Sequence, residues 1–257
     1  ETGFANSLTE NLKSQGLASA HSTTTAFASP RRLAVHVTDV AAAAADKAVQ
    51  QKIMPVAVAL TADGQPTPAL LKKLSSLGLT EQAVSQLKRL PDGKTEALFI
   101  DIQVAGVTLQ HGLQKALEEA LSKLPIPKVM SYQLADGWSS VNFVRPAHGL
   151  VALHGTQVVQ VSVLGLTAGR ITQGHRFEAL QPQISVQSAD SYAAQLENEG
   201  AVIASFAARR QEIARQLHSA ATQEGLQPIT DDALLDEVTA LVERPNVLTC
   251  QFEKEFL

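Results

Sequence analysis

The sequence predicts an α+β fold, in which a mixed or antiparallel sheet packs against helices. Residues 112–124 carry leucines at the spacing of an amphipathic helix, whereas residues 157–164 alternate valines with polar side chains, as a half-buried strand does. Helices and strands follow one another without a regular βαβ rhythm, which favours α+β over a parallel sheet. We therefore expect six apolar side chains to be buried: Leu113, Leu117, Leu121, Val159, Val161 and Val163.

Glycines and prolines delimit the elements of the first hundred residues. Phe4, Leu8 and Leu12 recur at helical spacing ahead of Gly16, which indicates a first helix. Residues 41–49 begin with five alanines and fit either a helix or a linker. We predict a helix at 4–15, strands at 23–27 and 33–37 joined by 28–32, a turn at 63–66, helices at 68–77 and 81–90, and a strand at 97–104.

Proline and capping side chains delimit the predicted helices of the second half. Pro125 and Pro127 end the leucine-rich helix, because proline cannot continue a helical ladder. Asp190 and Thr230 are side chains of the type that caps helices. We predict a helix from Asp190 to 199, the longest helix at 202–224, a helix at 231–243 capped by Thr230, and a strand at 247–252.

We expect two parts along the chain. Residues 1–188 form the α+β domain, lacking its first strand, and residues 189–257 form a helical segment that returns to a strand. The chain closes on the apolar pair Phe256 and Leu257, and we interpret it as a fragment truncated at Leu257.

Composition sets limits on the kind of protein. Of the 257 residues, 45% are hydrophobic and 18% charged, which is typical of a folded chain, and no apolar run reaches the roughly 18 residues of a membrane span. The one cysteine, Cys250, is expected to be buried, and a lone thiol favours a reducing, cytoplasmic location. The net charge is −4, so any nucleic-acid contact must come from a local basic patch or from a partner chain.

Four short segments place cations on stiff backbone beside proline or glycine, at 29–33, 124–130, 143–146 and 174–177. Cations held in this way suit phosphate recognition, since little conformational entropy is left to lose on binding. The candidate RNA-binding residues are Arg31, Arg32, Lys128, Arg145, His175 and Arg176. The alternative is structural, with each arginine capping helix carbonyls or pairing with a buried carboxylate. Arg209 and Arg210 are expected on a solvated helix flank.

No known arrangement of catalytic or metal-binding residues is visible. The sequence has no Gly-rich phosphate loop, no serine nucleophile elbow and no Cys-x-x-Cys pair. His148 and His154 would lie ~20 Å apart on one strand, too far to share a metal. We predict no catalytic residue, no metal and no cofactor in this chain.

The order of the motifs resembles a known family. Pro-Arg-Arg-Leu-Ala at 30–34, Leu-Pro-Ile-Pro-Lys-x-Met at 124–130, Phe-Val-Arg-Pro-x-His at 143–148 and Gly-His-Arg-Phe at 174–177 resemble the beta subunit of the heterotetrameric bacterial glycyl-tRNA synthetase. The segments 234–245 and 252–257 fit the same family. Ser131 departs from it, because the family often has arginine at that position.

The resemblance implies a division of labour. An alpha subunit makes glycyl-adenylate with ATP and magnesium, and the beta subunit supplies tRNA binding, so the chain is expected to be inactive alone. The implied partners are the alpha subunit, tRNA(Gly) and the remainder of the beta chain, with no membrane. The implied fold is similar to the tRNA-side domain of the phenylalanyl-tRNA synthetase beta chain. Two alternatives remain open: an editing-like aminoacyl-ester hydrolase, and a protein-interaction scaffold.

Overall fold

The computed structural model describes residues 2–61, 63–93, 95–125, 128–143 and 147–252. It divides into two compact units, a larger one made of Glu1–Ala43 with Thr108–Leu257 and a smaller one made of Ala44–Val107. The predicted boundary between residues 188 and 189 falls inside the larger unit and stays a prediction.

Seven α-helices occur in the described residues, together with one 3-10 helix at Glu81–Gln86. The longest is α6, as predicted, although it begins at Phe206 and not at residue 202. The α-helices are α1 (Thr2–Ser14), α2 (Val56–Ala59), α3 (Pro68–Ser76), α4 (Leu109–Ser122), α5 (Tyr192–Asn198), α6 (Phe206–Gln223) and α7 (Asp232–Leu241). None of the described helices is both long enough and apolar enough to cross a membrane.

The strands form small antiparallel sheets, which confirms the mixed α+β class. They are β1 (Thr24–Ser29), β2 (Arg32–Val37), β3 (Lys47–Pro55), β4 (Lys88–Asp92), β5 (Thr95–Val104), β6 (Met130–Gln133), β7 (Ser140–Phe143), β8 (Leu153–His154), β9 (Gln157–Val158), β10 (Ser162–Val163), β11 (Leu166–Thr167), β12 (Ile171–Gln173) and β13 (Gln183–Ser185). The smaller unit has the order β3-β5-β4, and the larger unit has the two-stranded pairs β1-β2, β6-β7, β8-β9, β10-β11 and β12-β13.

The smaller unit packs α3 onto its three-stranded sheet. Thr67 caps α3 by accepting a hydrogen bond from the Leu70 N–H at 3.3 Å, and Leu70 and Leu74 enter a core with Ile53 and Ile100. Two sequence predictions are wrong here. Residues 47–49 belong to β3, not to a helix or linker, and the helix expected at 81–90 is a 3-10 helix followed by β4. In both cases pairing with β5 overrides the local helical propensity.

In the larger unit α1 packs against the small-residue side of α4. Gly112, Ala116 and Ala120 are buried there, and a Cβ at Gly112 would come within 2.2 Å of Leu17 Cδ1. Small side chains allow the two helices to approach closely, so the buried face is rotated away from part of the leucine stripe. Leu117 is buried as predicted, whereas Leu113 and Leu121 are only half-buried.

The strand predicted at 157–164 is divided between β9 and β10. Val159 and Val161 are buried as expected, and Val163 is half-buried. The two buried valines lie between the short strands, where the Val159 N–H donates to the Ala152 carbonyl at 2.9 Å and the Val161 carbonyl accepts from the Ala168 N–H at 2.8 Å. The periodicity therefore identified two core positions although the element is not one strand.

The ends of the C-terminal helices differ from prediction, and the predicted capping residues do not cap them. Asp231, not Thr230, caps α7 by accepting from the Leu234 N–H at 2.9 Å. Asp190 does not cap α5, since its carboxylate contacts His36 Nε2 at 2.8 Å. Residues 247–252 form no strand, and Cys250 is exposed rather than buried.

Candidate nucleic-acid interface

The β1-β2 hairpin presents two arginines at its turn. Ser29 pairs with Arg32 in the closing register, so Pro30 and Arg31 make the turn and the connection is shorter than the predicted 28–32. A two-residue turn fixes the directions in which the side chains of Arg31 and Arg32 project from the backbone.

Both guanidinium groups reach the carboxylate of Glu243, whose side chain is only 5% exposed. Arg31 donates to Glu243 Oε2 from Nη2 at 2.5 Å and from Nε at 3.2 Å. Arg32 donates from Nη1 to Oε1, which also accepts from the Ser29 hydroxyl at 2.8 Å. The structural alternative for Arg31 and Arg32, pairing with a buried carboxylate, is therefore present in the molecule.

The pKa of Glu243 reports the balance of forces at this cluster. Burial raises the pKa of the carboxyl. Hydrogen bonds from Arg31 and Ser29 and the charges of Arg32 and Arg31 lower the pKa by more than burial raises it, so the net shift is downward. Glu243 is thus ionised at neutral pH and neutralises part of the charge of the two arginines.

The same two arginines hold the segment that follows β12. Arg32 Nη2 donates to the Gln173 carbonyl, and Arg31 Nη2 donates to the Gly174 carbonyl at 3.4 Å. The two motifs at 30–34 and 174–177, which are about 140 residues apart in sequence, are therefore neighbours in space.

The loop after Gly174 displays a cation and an aromatic ring. The His175 N–H donates to the Gly200 carbonyl at 2.6 Å, and His175 Nδ1 accepts from the Glu178 N–H at 3.2 Å. The guanidinium of Arg176 lies 5.7 Å from the centre of the Phe177 ring, which is 84% exposed. A cation over an exposed aromatic face, two residues after the Gly174 carbonyl that accepts from Arg31, is an arrangement that can contact both a phosphate and a base.

The structure brings together four of the six candidate residues: Arg31, Arg32, His175 and Arg176. The three arginines differ in solvent exposure. The side chain of Arg32 is 11% exposed, that of Arg31 is 45% exposed, and Arg176 is an exposed residue. Lys128 is exposed ahead of β6, and no hydrogen bond or ion pair among the described residues joins it to this cluster. Arg145 lies outside the described residues.

Arg209 contradicts the expectation of a solvated flank. Its side chain is fully buried, and Nη1 donates to the carbonyls of Ile203 at 2.7 Å and Ala204 at 3.2 Å. Only Arg210 is on the flank, paired with Asp232 and Asp236 of α7. The guanidinium of Arg209 thus donates hydrogen bonds to carbonyls just before α6 and near the end of α7.

Glu243 and Phe177 are the residues of this region that sequence reasoning missed. Glu243 was placed inside a helix, yet the helix ends at Leu241 and the carboxylate lies beyond it. A sequence signal for an earlier helix end was available, since Pro245 disfavours helical backbone at Arg244, but no local signal pairs Glu243 with Arg31 and Arg32. Phe177 is the last residue of the Gly-His-Arg-Phe motif, and the sequence gives it no role of its own.

Within the described residues, no group of three or more His, Cys, Asp or Glu side chains could hold a metal ion.

Comparison with known proteins places the chain among subunits of aminoacyl-tRNA synthetases. The family model described as glycyl-tRNA synthetase beta subunit matches residues 1–257, and the chain belongs to that family. It is 70% identical over 254 residues to the glycine–tRNA ligase beta subunit of Leptothrix cholodnii and 69% identical over 257 residues to that of Acidovorax sp. (strain JS42). Each comparison covers 99% of this chain and 36% of the relative, so the chain spans about a third of the length of these curated relatives.

Proposed function

We propose that this chain is a tRNA-binding and assembly part of a glycine–tRNA ligase beta subunit, supporting the ATP-dependent charging of tRNA(Gly). Its partners are then the alpha subunit, tRNA(Gly) and the remainder of the beta chain, in the cytoplasm. ATP and magnesium are used by the alpha subunit, and this chain supplies no catalytic residue. Family membership supports the proposal, since the relatives are named as beta subunits of glycine–tRNA ligase.

One observation carries the RNA contact. Arg31 hydrogen-bonds the Gly174 carbonyl and keeps 45% of its side chain exposed, next to the loop that displays Arg176. Two cations from distant parts of the sequence thus share one edge of a chain whose net charge is −4. Such a local patch attracts phosphates without making the whole protein a nonspecific binder.

The six candidate residues then have different roles. Arg176 contacts a phosphate directly, and Arg31 contributes the part of its charge that Glu243 does not neutralise. Arg32 and His175 position the hairpin and the loop, because their polar atoms are engaged with Glu243, Gln173 and the loop backbone. Lys128 makes a separate contact to the RNA, and Arg145 stays a candidate on the sequence alone.

The test is the salt dependence of tRNA(Gly) affinity, measured on the intact synthetase. Arg176→Ala, Arg31→Ala and Lys128→Ala should each weaken binding. The slope of log affinity against log salt should fall by about one for Arg176→Ala and Lys128→Ala, and by less for Arg31→Ala, whose charge Glu243 partly neutralises. Arg215→Ala is the matched control, because this exposed arginine of α6 pairs with Glu212 and lies outside the cluster. If all three variants keep affinity and slope while losing thermal stability, the residues are structural and the RNA contact is wrong.

A protein-interaction scaffold is the second candidate function. It is favoured by Glu243, which neutralises part of the charge of Arg31 and Arg32 and so reduces the field available to RNA. Unchanged tRNA binding in the variants above, combined with loss of alpha-subunit binding by the same variants, would favour the scaffold.

We also infer that the fold is similar to the tRNA-side domain of the phenylalanyl-tRNA synthetase beta chain. The mixed architecture of helices on small antiparallel sheets is compatible with that similarity. Superposition of an experimental structure of the whole beta subunit on that domain tests it, and a different order of strands in space would contradict it.

A further inference from the structure

Uncovered apolar side chains are concentrated at the C-terminal end of the described chain. Of the eighteen large apolar side chains that are exposed among the described residues, seven lie between residues 226 and 252. Single exposed apolar residues are ordinary on a protein surface, but a concentration of them indicates a surface that meets another surface.

Helix α7 is at the centre of this region and carries apolar side chains on its exposed side. One side is buried, with Thr239 fully inaccessible and α6 packed beside it. On another side Leu234, Val238 and Leu241 recur at helical spacing and are exposed; we call these three residues the outer face of α7. A surface helix normally presents polar residues to solvent, so this outer face has the composition of a buried one.

The segments on either side of α7 show the same feature. Ile229 precedes the helix, and Leu248 and Phe252 follow it, and all three are largely exposed in stretches without helix or strand.

We propose that the outer face of α7 is the docking surface for the part of the beta subunit that follows the matched region in full-length family members. The relatives are nearly three times as long as the matched region, which is their N-terminal part, so most of their chain is available as the occupant. The inference requires family membership but no RNA contact, and it goes beyond the proposed function.

Proximity in sequence favours this occupant over a separate molecule. The helix ends at Leu241, and residues 242–257 are the last of the matched region. Sixteen residues reach at most about 55 Å when extended, so the following region is tethered close to α7. A short tether gives an effective concentration of the order of millimolar, which is far above that of a free partner.

The test is the reactivity of thiols introduced into the full-length beta subunit, purified without its alpha subunit. Leu234→Cys probes the outer face of α7 and Val58→Cys is the control, since the native side chains are 56% and 55% exposed. Both variants carry Cys250→Ser, and labelling is followed at each site by peptide mass spectrometry. The thiol at position 234 should react at least about tenfold more slowly than that at position 58, and equally fast in urea.

Three outcomes would overturn the proposal. Equal native labelling rates would show that the outer face is uncovered in the full-length subunit. Protection that disappears on dilution would assign the face to a second copy of the chain. Protection that appears only after the alpha subunit is added would assign it to that partner.

A pair of charge substitutions provides an independent measurement. Leu234→Asp and Ala233→Asp both add a carboxylate to the first turn of α7, where the helix dipole favours negative charge. Only Leu234→Asp places that charge on the outer face, so it should lower the melting temperature of the full-length subunit while Ala233→Asp does not. An equal effect of the two substitutions would overturn the proposal as well.

Discussion

Arg32 and Glu243 are 211 residues apart in sequence, yet the guanidinium of Arg32 donates a hydrogen bond to Glu243 Oε1. The same guanidinium donates to the Gln173 carbonyl through Nη2. One side chain therefore joins three segments of the larger unit: the β1-β2 hairpin, the end of β12 and the stretch after α7. This arginine positions the loop that carries Arg176 and Phe177, so the RNA contact that we propose for this loop would depend on the stability of the cluster.

Glu243→Gln is expected to destabilise the folded chain. The amide keeps an acceptor for Arg32 but loses the negative charge that compensates two guanidinium groups. Breaking a fully buried ion pair costs about 3–5 kcal/mol, and because Arg31 is partly solvated we expect about 2–3 kcal/mol here. Urea unfolding followed by circular dichroism measures the difference. Glu237→Gln on the exposed side of α7 is the control and should leave the unfolding free energy within about 0.5 kcal/mol of wild type.

The destabilisation by Glu243→Gln should depend on pH. The folded-state pKa of Glu243 is below its ordinary value of 4.5, so the folded state binds fewer protons than the unfolded state near that pH. The stabilisation is therefore complete above the unfolded pKa and is lost as pH falls through the folded pKa. The difference between wild type and Glu243→Gln should be constant from about pH 7 to pH 6 and should shrink below about pH 5. A difference that grows on acidification would contradict this assignment.

Gly112→Ala and Gly3→Ala should have opposite effects, although both add a methyl group to a helix. At Gly112 the new Cβ would lie 2.2 Å from Leu17 Cδ1, and Leu17 is buried, so we expect a cost of about 1–3 kcal/mol that exceeds the ~1 kcal/mol gain in helix propensity. At Gly3 nothing lies within 4 Å, and the substitution should be neutral or slightly stabilising. Thermal unfolding of both variants measures this. Equal stabilisation by both would show that Leu17 does not pack against Gly112.

The local elements of this fold could largely be predicted, because each is specified by neighbouring residues. The helix containing Phe4, Leu8 and Leu12 ends near Gly16 as its spacing and stop signal indicate, and the strand predicted at 97–104 is the core of β5. Helix α3 likewise begins at its proline and ends before Gly78. Hydrophobic periodicity and turn residues act over a few positions, so a single sequence is enough to read them.

Features that depend on distant partners could not be predicted. Arg209 is buried because carbonyls of Ile203 and Thr239 surround its guanidinium, and no local pattern distinguishes it from the flanking Arg210. The segment 88–92 is a strand because β5 lies beside it. At the candidate interface, the sequence indicated which cations stand on stiff backbone, but not that Glu243 would pair with two of them.

The 257-residue chain alone should show no glycine-dependent exchange of pyrophosphate into ATP. Its sequence contains no Gly-rich phosphate loop, and the proposed division of labour assigns adenylate formation to the alpha subunit. The intact ligase, assayed in the same buffer with ATP, magnesium and glycine, is the positive control. Exchange above background from the pure chain would contradict the division of labour.

Phe177→Ala should weaken tRNA(Gly) binding to the intact synthetase without changing its salt dependence. The ring is 84% exposed, and Arg176 lies over it at 5.7 Å, so a base can stack on the ring while the arginine contacts a phosphate. Stacking on an aromatic side chain contributes about 1–3 kcal/mol per base, and the affinity should fall by about 5- to 150-fold. Phe177→Tyr retains the aromatic face and is the matched control, while Leu180→Ala removes an equally exposed apolar side chain nearby in sequence. Loss of binding by Phe177→Tyr as well, or an equal loss by Leu180→Ala, would show that the ring is not a stacking platform.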